Sequence, residues 1–298
     1  MTKYYPSKLT TILIVTINGF ISMKTIKNLK DNYKIIIVEN NGDNKLYKKF
    51  SRYYKNIKVF IRKKNLGFGG GNNFGLKKIK TPYVLMLNPD VEISKKSVEL
   101  FEKYTKEKID FSILTANVKD FNLMINSRLD KFDKNNRFKI KNVDLQNIPW
   151  VPEWCMFCKL SDLKKVKFFD ENYFLSFEGL DLCKKLKKNN KNFYLVKDIK
   201  ITHSMAGTSS NLSIKKNLEH WQLRFWHFYW SSFYYHRKHY GYLNSLKVHI
   251  FKLIRFFIKK KYLYFFKGND YDYLTTKSKF EGILSQICSK NSFYRIEL

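Results

Sequence analysis

"TTILIVTI", residues 10–17, carries no charge and is dominated by β-branched and aliphatic side chains. A run that stays apolar at successive positions reads as a strand covered on both faces, not as the alternating strand of a one-faced sheet. Working outward, "YKIIIVEN" (33–40), "IKVFI" (57–61) and "PYVLML" (82–87) repeat the pattern. The intervening stretches 20–30, 43–54 and 72–79 read as helices. Apolar strands alternating with helices specify a mostly parallel α/β sheet with helices on both faces. From about 113 to 200 the strands shorten, in "FSILTANV", "WVPEWCMFCKL" and "NFYLVKDIKITH", with one helix after Phe177. This is the pattern of a mixed second half of the same domain.

The 298 residues suffice for one large domain with an appendage, or for two domains. Lys and Arg number 57 against 25 Asp and Glu, a net charge of +32. That excess attracts polyanions: nucleic acid, acidic lipid headgroups or phosphorylated ligands. Lysine and asparagine abundance is also what an AT-rich genome produces. No RRM, KH or zinc-finger signature supports the nucleic-acid reading, which stands as a rival. Cys155 and Cys158 have CxxC spacing, but no second pair completes a zinc ribbon. Their apolar flanks read as buried thiols in a reducing compartment. "LTTILIVTI" is too short to span a bilayer and lacks a small-residue cleavage site, so it reads as a strand and not a signal peptide. The chain is expected to be soluble or peripheral.

After about 211 the composition turns aromatic and basic. "HIFKLIRFFIKKKYLYFF" places Lys252, Arg255 and Lys259 at helical spacing, with Phe251, Ile254, Phe257 and Ile258 around the rest. Such a helix either lies in a membrane interface or packs its apolar face on a core.

In parallel sheets ligands bind at the carboxyl ends of strands. Thr16, Asn18, Glu39, Asn40, Asn65, Asn88 and Asp90 all fall there. "NLGFGGGNNFGL" (65–76) matches neither a Walker A loop nor GxGxxG; its glycines permit close backbone approach, and helix-opening amides at Asn72 and Asn73 would face an anion. "YVLMLNPDVEIS" (83–94) delivers Asn88 and Asp90 from a buried strand, with Pro89 stiffening the turn. A carboxylate there can hold a divalent cation on a diphosphate, or the segment is a plain turn before a helix capped by Ser94. His203 ends "DIKITH" ahead of the small-residue loop "SMAGTSS", as a metal or phosphate contact or as a structural histidine.

Taken together, "VEN", "NLGFGGGNNFG", "LMLNPDV", "FFDENYFLSFEGLDLCKKL" and "ITHSMAGTSS" resemble the family 2 glycosyltransferases, in the bacterial rhamnosyltransferase-like subgroup of cell-surface polysaccharide assembly. The resemblance covers roughly residues 10–210, and "HFYWSSFYYHRKHYG" and "EGILS" resemble that subgroup's C-terminal helices. It implies a GT-A (Rossmann-like) domain over 1–210 and a basic, membrane-peripheral helical region over 211–298. It also implies inverting transfer of a sugar, rhamnose among the candidates, from a nucleotide diphosphate sugar to a lipid-diphosphate-linked glycan. The work would be done at the cytoplasmic, anionic face of a bacterial cell membrane, with no nucleic acid involved. Thr16, Glu39, Asn65, Asn73 and Asn88 would hold the donor, Glu39 at the nucleobase. Asp90 falls on the last residue of the DxD-type motif, Asn88 on the first, and Asp90 with His203 would hold Mn2+ or Mg2+. From the residues themselves, Glu153 is a candidate acceptor contact, and Trp150 and Trp154 beside it either stack on a sugar face of the acceptor or are core. The departure is "FEGLD": relatives read Glu-Asp-x-Asp, and the presumed base is replaced by Gly179. Glu178 is the candidate base and Asp181 the second, unless Asp181 is a helix-capping acid. An impaired, scaffold-like transferase is the further alternative.

Overall fold

The computed structural model describes residues 7–51, 53–118, 144–203, 214–266 and 268–295. Contacts divide the chain into two units, Met1–Leu66 with Gly70–Phe169 and Leu182–Gly207, and Gly67–Gly69 with Asp170–Asp181 and Thr208–Leu298.

The first unit is built on strands β1 (Thr10–Thr16), β2 (Lys34–Glu39), β3 (Ile57–Ile61) and β4 (Tyr83–Leu87), followed by β5 (Val91–Glu92), β6 (Ile113–Asn117), β7 (Leu145–Asn147), β8 (Cys155–Lys159), β9 (Phe193–Lys200) and β10 (Thr202–His203). Eight of them form one sheet in the order β3-β2-β1-β4-β8-β6-β9-β7. β1 pairs in parallel with both β2 and β4, and β2 with β3, while β8 runs antiparallel between β4 and β6. This is the mostly parallel sheet, mixed in its second half, that the apolar strands imply. Ile12, Ile14, Ile35, Ile37, Leu85 and Phe157 lie in its core, all within 1 % of complete burial.

The helices of the first half are α1 (Met23–Leu29), α2 (Lys45–Phe50), α3 (Gly67–Leu76) and α4 (Lys95–Tyr104), each within or beside the stretch expected of it except α3. Ser22 caps α1 by accepting from the Thr25 amide, and Ser94 caps α4 by accepting from the Ser97 amide. α3 begins five residues before the expected start, and the glycine run lies inside it. A Cβ on Gly75 would come 2.3 Å from Leu13 Cδ1, and one on Gly71 2.7 Å from Val15 Cγ1. The glycines therefore let a helix settle directly on β1 and β2; intrinsic propensity, which disfavours glycine in helices, is overridden by packing. Asn72 and Asn73 consequently sit in the helix interior, and their amides do not open it towards an anion.

α5 (Leu160–Lys165) and α6 (Glu178–Lys187) follow β8. Cys155, Cys158 and Cys183 are buried free thiols, and burial pushes the Cys155 thiol up to about 12. The loop "SMAGTSS" lies outside the described residues.

In the second unit α7 (Ile214–Tyr240), α8 (Tyr242–Phe265) and α9 (Asp270–Ile287) pack together around Trp226, Trp230 and Phe233. Gly282 admits the closest approach of α9 to α7, since a Cβ there would lie 2.4 Å from the Trp226 carbonyl oxygen. Fully buried His227 donates from Nε2 to the Tyr294 carbonyl (2.8 Å) and accepts at Nδ1 from the Ser292 hydroxyl (3.2 Å). Burial lowers its pKa to about 3.

Candidate active site

Strand order reverses at β1, which has β2 on one side and β4 on the other, so the carboxyl ends of these strands border the crevice where ligands bind in open α/β sheets. Thr16, at the end of β1, donates its hydroxyl hydrogen bond to the Phe20 carbonyl and closes the turn that follows. Asn18 and Gly19 in that turn have φ of 58° and 72°, and their amides donate to Glu39 at 3.1 and 2.9 Å. The Asn41 amide adds a third bond at 3.3 Å. Burial raises the Glu39 pKa, and these three amides counter it. Glu39 is fully buried, so its side chain organises two strand-end loops.

Asn40 joins the same shell. Its Nδ2 donates to Asn65 Oδ1 (3.1 Å), and its Oδ1 accepts from the Leu66 amide (3.2 Å). Asn65 is thereby fixed beside the end of β2. Asn73 is drawn away from a ligand role: its Nδ2 donates to the Phe169 carbonyl and its Oδ1 accepts from the Phe169 amide, both at 3.0 Å. This two-point clamp is buried.

β4 delivers Asn88 and Asp90. The Asn88 amide donates to the Trp154 carbonyl at 2.9 Å, which holds the turn against the segment leading into β8. β10 pairs antiparallel with β5, placing His203 opposite Val91. His203 Nε2 then lies 3.2 Å from Asp90 Oδ1. The Trp154 ring lies against the imidazole, centroids 5.6 Å apart. Asp90, His203, Asn88 and Trp154 are thus brought together by strand pairing, although 113 residues separate Asp90 from His203 in the chain. Trp150 is buried and presents no face for sugar stacking; Glu153 is half-buried.

In the second unit Glu178 opens α6 and is buried. Asp181 is also buried, with Oδ1 2.6 Å from Lys238 Nζ and 2.8 Å from His239 Nε2. Lys238 also reaches Asp170 Oδ2 at 2.7 Å. Burial works against ionisation of Asp170, but Lys238, the Asn172 amide and the Tyr234 hydroxyl outweigh it and hold its carboxyl below the usual range. Asp181 is therefore paired with Lys238 and His239, which ties the first turn of α6 to α7.

Sequence reasoning placed Asn18 and Asn40 at strand ends but missed the tie of Asn40 to Asn65, the Asn18–Gly19 amides as the grip on Glu39, and the Lys238–His239 grip on Asp181. Asn-Gly is a turn signal that could have flagged the first turn. Nothing local marks Lys238 or His239, whose partner is 58 residues away for His239.

An eight-stranded sheet of this order, with a carboxylate and an imidazole converging at the end of its fourth strand, defines a GT-A fold. Solved structures of that kind superpose on the chain: a mannosyltransferase from Pyrobaculum calidifontis in complex with GDP-Man and Mn2+ (TM-score 0.57, 9 % identity, 96 % of this chain and 88 % of that one). GalNAc-T7 with UDP, GalNAc and Mn2+ gives a TM-score of 0.52 at 12 % identity, covering 65 % of this chain and 43 % of that one. At such identities the likeness shows the fold. The sequence model of glycosyl transferase family 2 matches residues 21–167, so this stretch is a domain of that family. Among curated relatives, rhamnosyltransferase WbbL of Escherichia coli K12 is 28 % identical over 187 residues, 55 % of this chain and 70 % of that protein. Minor teichoic acid biosynthesis protein GgaB of Bacillus subtilis 168 is 25 % identical over 63 % of this chain, but the match spans only 21 % of GgaB. The function that follows from the family is sugar transfer.

Proposed function

We propose that the protein is an inverting, divalent-cation-dependent transferase that moves a deoxyhexose such as rhamnose from a nucleotide diphosphate sugar to a lipid-diphosphate-linked glycan. The observation that carries the reading is the Asp90–His203 pair. Two ligands at right angles on an octahedral cation, each about 2.1 Å from it, lie about 3 Å apart, close to the 3.2 Å seen between Asp90 Oδ1 and His203 Nε2. One carboxylate with one imidazole is a donor set that fits Mn2+ or Mg2+. Among the described residues no three His, Cys, Asp or Glu side chains gather to hold a metal. This suits a cation bound together with diphosphate oxygens, as such ions often are in phosphate-handling sites. When bound, the cation neutralises charge developing on the leaving diphosphate.

The chain's own residues supply the rest. Glu39, held by three amides, shapes the loops around the nucleobase, and Asn65 lies where the nucleoside would rest. Glu178 is the base that takes the proton from the acceptor hydroxyl as it attacks the anomeric carbon opposite the leaving diphosphate. Asp181 is committed to Lys238 and His239, which leaves Glu178 as the nearer match to the missing acid at Gly179.

The acceptor's lipid and the protein meet at an anionic membrane surface on the cytoplasmic side. α8 packs its Ser245, His249 and Phe256 side inward and leaves Phe251, Ile254, Ile258, Tyr262 and Phe265 exposed at three- and four-residue spacing. Phe251 is 79 % and Phe265 69 % exposed. Lys247, Arg255, Lys259 and Lys261 flank this stripe. Apolar side chains at the acyl boundary with cations at the headgroups is the arrangement of an interfacial helix. Among the described residues no helix is long and apolar enough to cross a membrane.

The deciding experiment measures release of nucleoside diphosphate across a nucleotide-sugar panel, with Mn2+ or Mg2+ and with chelator. Asp90→Ala and His203→Ala are expected to lower turnover at least 100-fold while the chain stays folded, and Glu178→Gln about as much. Full turnover in chelator with an intact Asp90→Ala variant would overturn the cation reading; full turnover in Glu178→Gln would remove Glu178 as base.

A further inference from the structure

We propose that an open hollow in the helical unit, lined by Trp230, Tyr234 and Arg237 of α7, Gln286 of α9, Lys290 and Asn172, binds an anionic saccharide, a sugar bearing a phosphate or carboxylate on the acceptor glycan. The assignment to the acceptor rests on the sugar-transfer reading above. The hollow has a volume of about 350 Å3, within the range of small-molecule sites and more than a bare phosphate needs.

Its charge is arranged for an anion. Arg237 Nη1 donates to Gln286 Oε1 and to Ser289 Oγ, both at 3.1 Å. These neutral acceptors fix the guanidinium without cancelling its charge, and its planar fork suits a phosphate or carboxylate. Among the described residues no carboxylate pairs with Arg237 or Lys290, whereas Lys238, on the same rim, is shared by Asp170 and Asp181. The Lys290 carbonyl accepts from Trp230 Nε1 at 3.0 Å, which fixes the backbone that carries its ammonium group.

The remainder of the lining suits a sugar body. Half-buried Tyr234, backed by the buried Trp230 ring with centroids 5.1 Å apart, gives an aromatic wall. Asn172, Gln286 and Asn291 add amides that can both donate to and accept from hydroxyls. Lys238 joins the hollow to Asp181, three residues beyond Glu178 on α6, so an occupant bears on the helix that carries the candidate base.

The test is calorimetric titration of the full chain with glucose 6-phosphate, glucuronate, glucose and inorganic phosphate, at low and high salt. Glucose 6-phosphate or glucuronate is expected to bind at least tenfold more tightly than glucose or phosphate, and more weakly as salt rises. The tighter of the two identifies the anion. Arg237→Gln and Lys290→Gln should each weaken that binding about tenfold; Lys290→Gln, on an exposed residue, should leave the thermal midpoint and nucleotide-sugar binding unchanged. Equal affinity for glucose, phosphate binding as tight as the sugar phosphate, unaltered binding in both variants, or binding of no probe would each overturn the site. Absence of nucleotide-sugar turnover is a separate result, which overturns the transferase reading.

Discussion

Asn73 shows how one side chain can be misassigned by position alone. It lies in a glycine-rich stretch where a ligand contact is a natural expectation, yet both of its amide atoms are spent on the backbone of Phe169. Replacing it with alanine leaves a buried amide and carbonyl without that partner, at a cost of about 3 kcal/mol. Asn73→Ala is therefore expected to lower the urea midpoint while nucleotide-sugar affinity of the folded fraction changes less than twofold; a tenfold loss of affinity at unchanged stability would return the residue to the donor site. Asp90 was legible because a carboxylate placed by a buried strand's end has few structural uses. Its partner His203 was legible only as a strand-ending histidine, since the β5–β10 pairing that aims it is a long-range contact. Asp181 was open between base and structure, and its partners Lys238 and His239 are invisible at the level of local spacing.

At the scale of elements, the apolar runs specified β1 to β4 because uninterrupted burial on both faces admits few other conformations. The start of α3 was not legible, because five glycines in ten residues suppress any helical signal that the local sequence holds. The reason for those glycines is tertiary, and it yields a test. Gly75→Ala improves intrinsic helix propensity by about 1 kcal/mol, yet its methyl meets Leu13, a fully buried core residue. Overpacking of this kind costs about 1–3 kcal/mol, so the variant is expected to be less stable by thermal unfolding. A raised midpoint would show that Leu13 yields and that the close approach of α3 to β1 is not required.

For the whole molecule, the charge excess was legible from composition, and the structure locates part of it along the exposed stripe of α8. The full chain is expected to cosediment with vesicles containing about 30 % anionic lipid and to be released as ionic strength rises. Phe251→Ser and Ile258→Ser, which leave the net charge unchanged, should each weaken this at least fivefold without changing nucleotide-sugar turnover on a soluble acceptor. Retention of both variants on vesicles, or no binding by the parent chain, would refute the interfacial role. The same test separates the stripe from a general polycation effect, since removing two apolar side chains leaves every lysine and arginine in place.

The tie between His227 and residues 292–294 makes the helical unit an acid-sensitive structure. Its imidazole must remain neutral to accept from Ser292, and its folded pKa of about 3 lies below the ordinary 6.5. A group depressed in this way gives its full stability above pH 6.5 and loses it as protons are taken up on unfolding, at about 1.4 kcal/mol per pH unit down to about pH 3. Urea unfolding at pH 7.5 and pH 5.0 should differ by about 2 kcal/mol from this residue, since only the span below pH 6.5 contributes, and His227→Gln should flatten the difference. Souring therefore drains the free energy with which residues 292–294 are held against α7 well before the folded imidazole itself takes a proton.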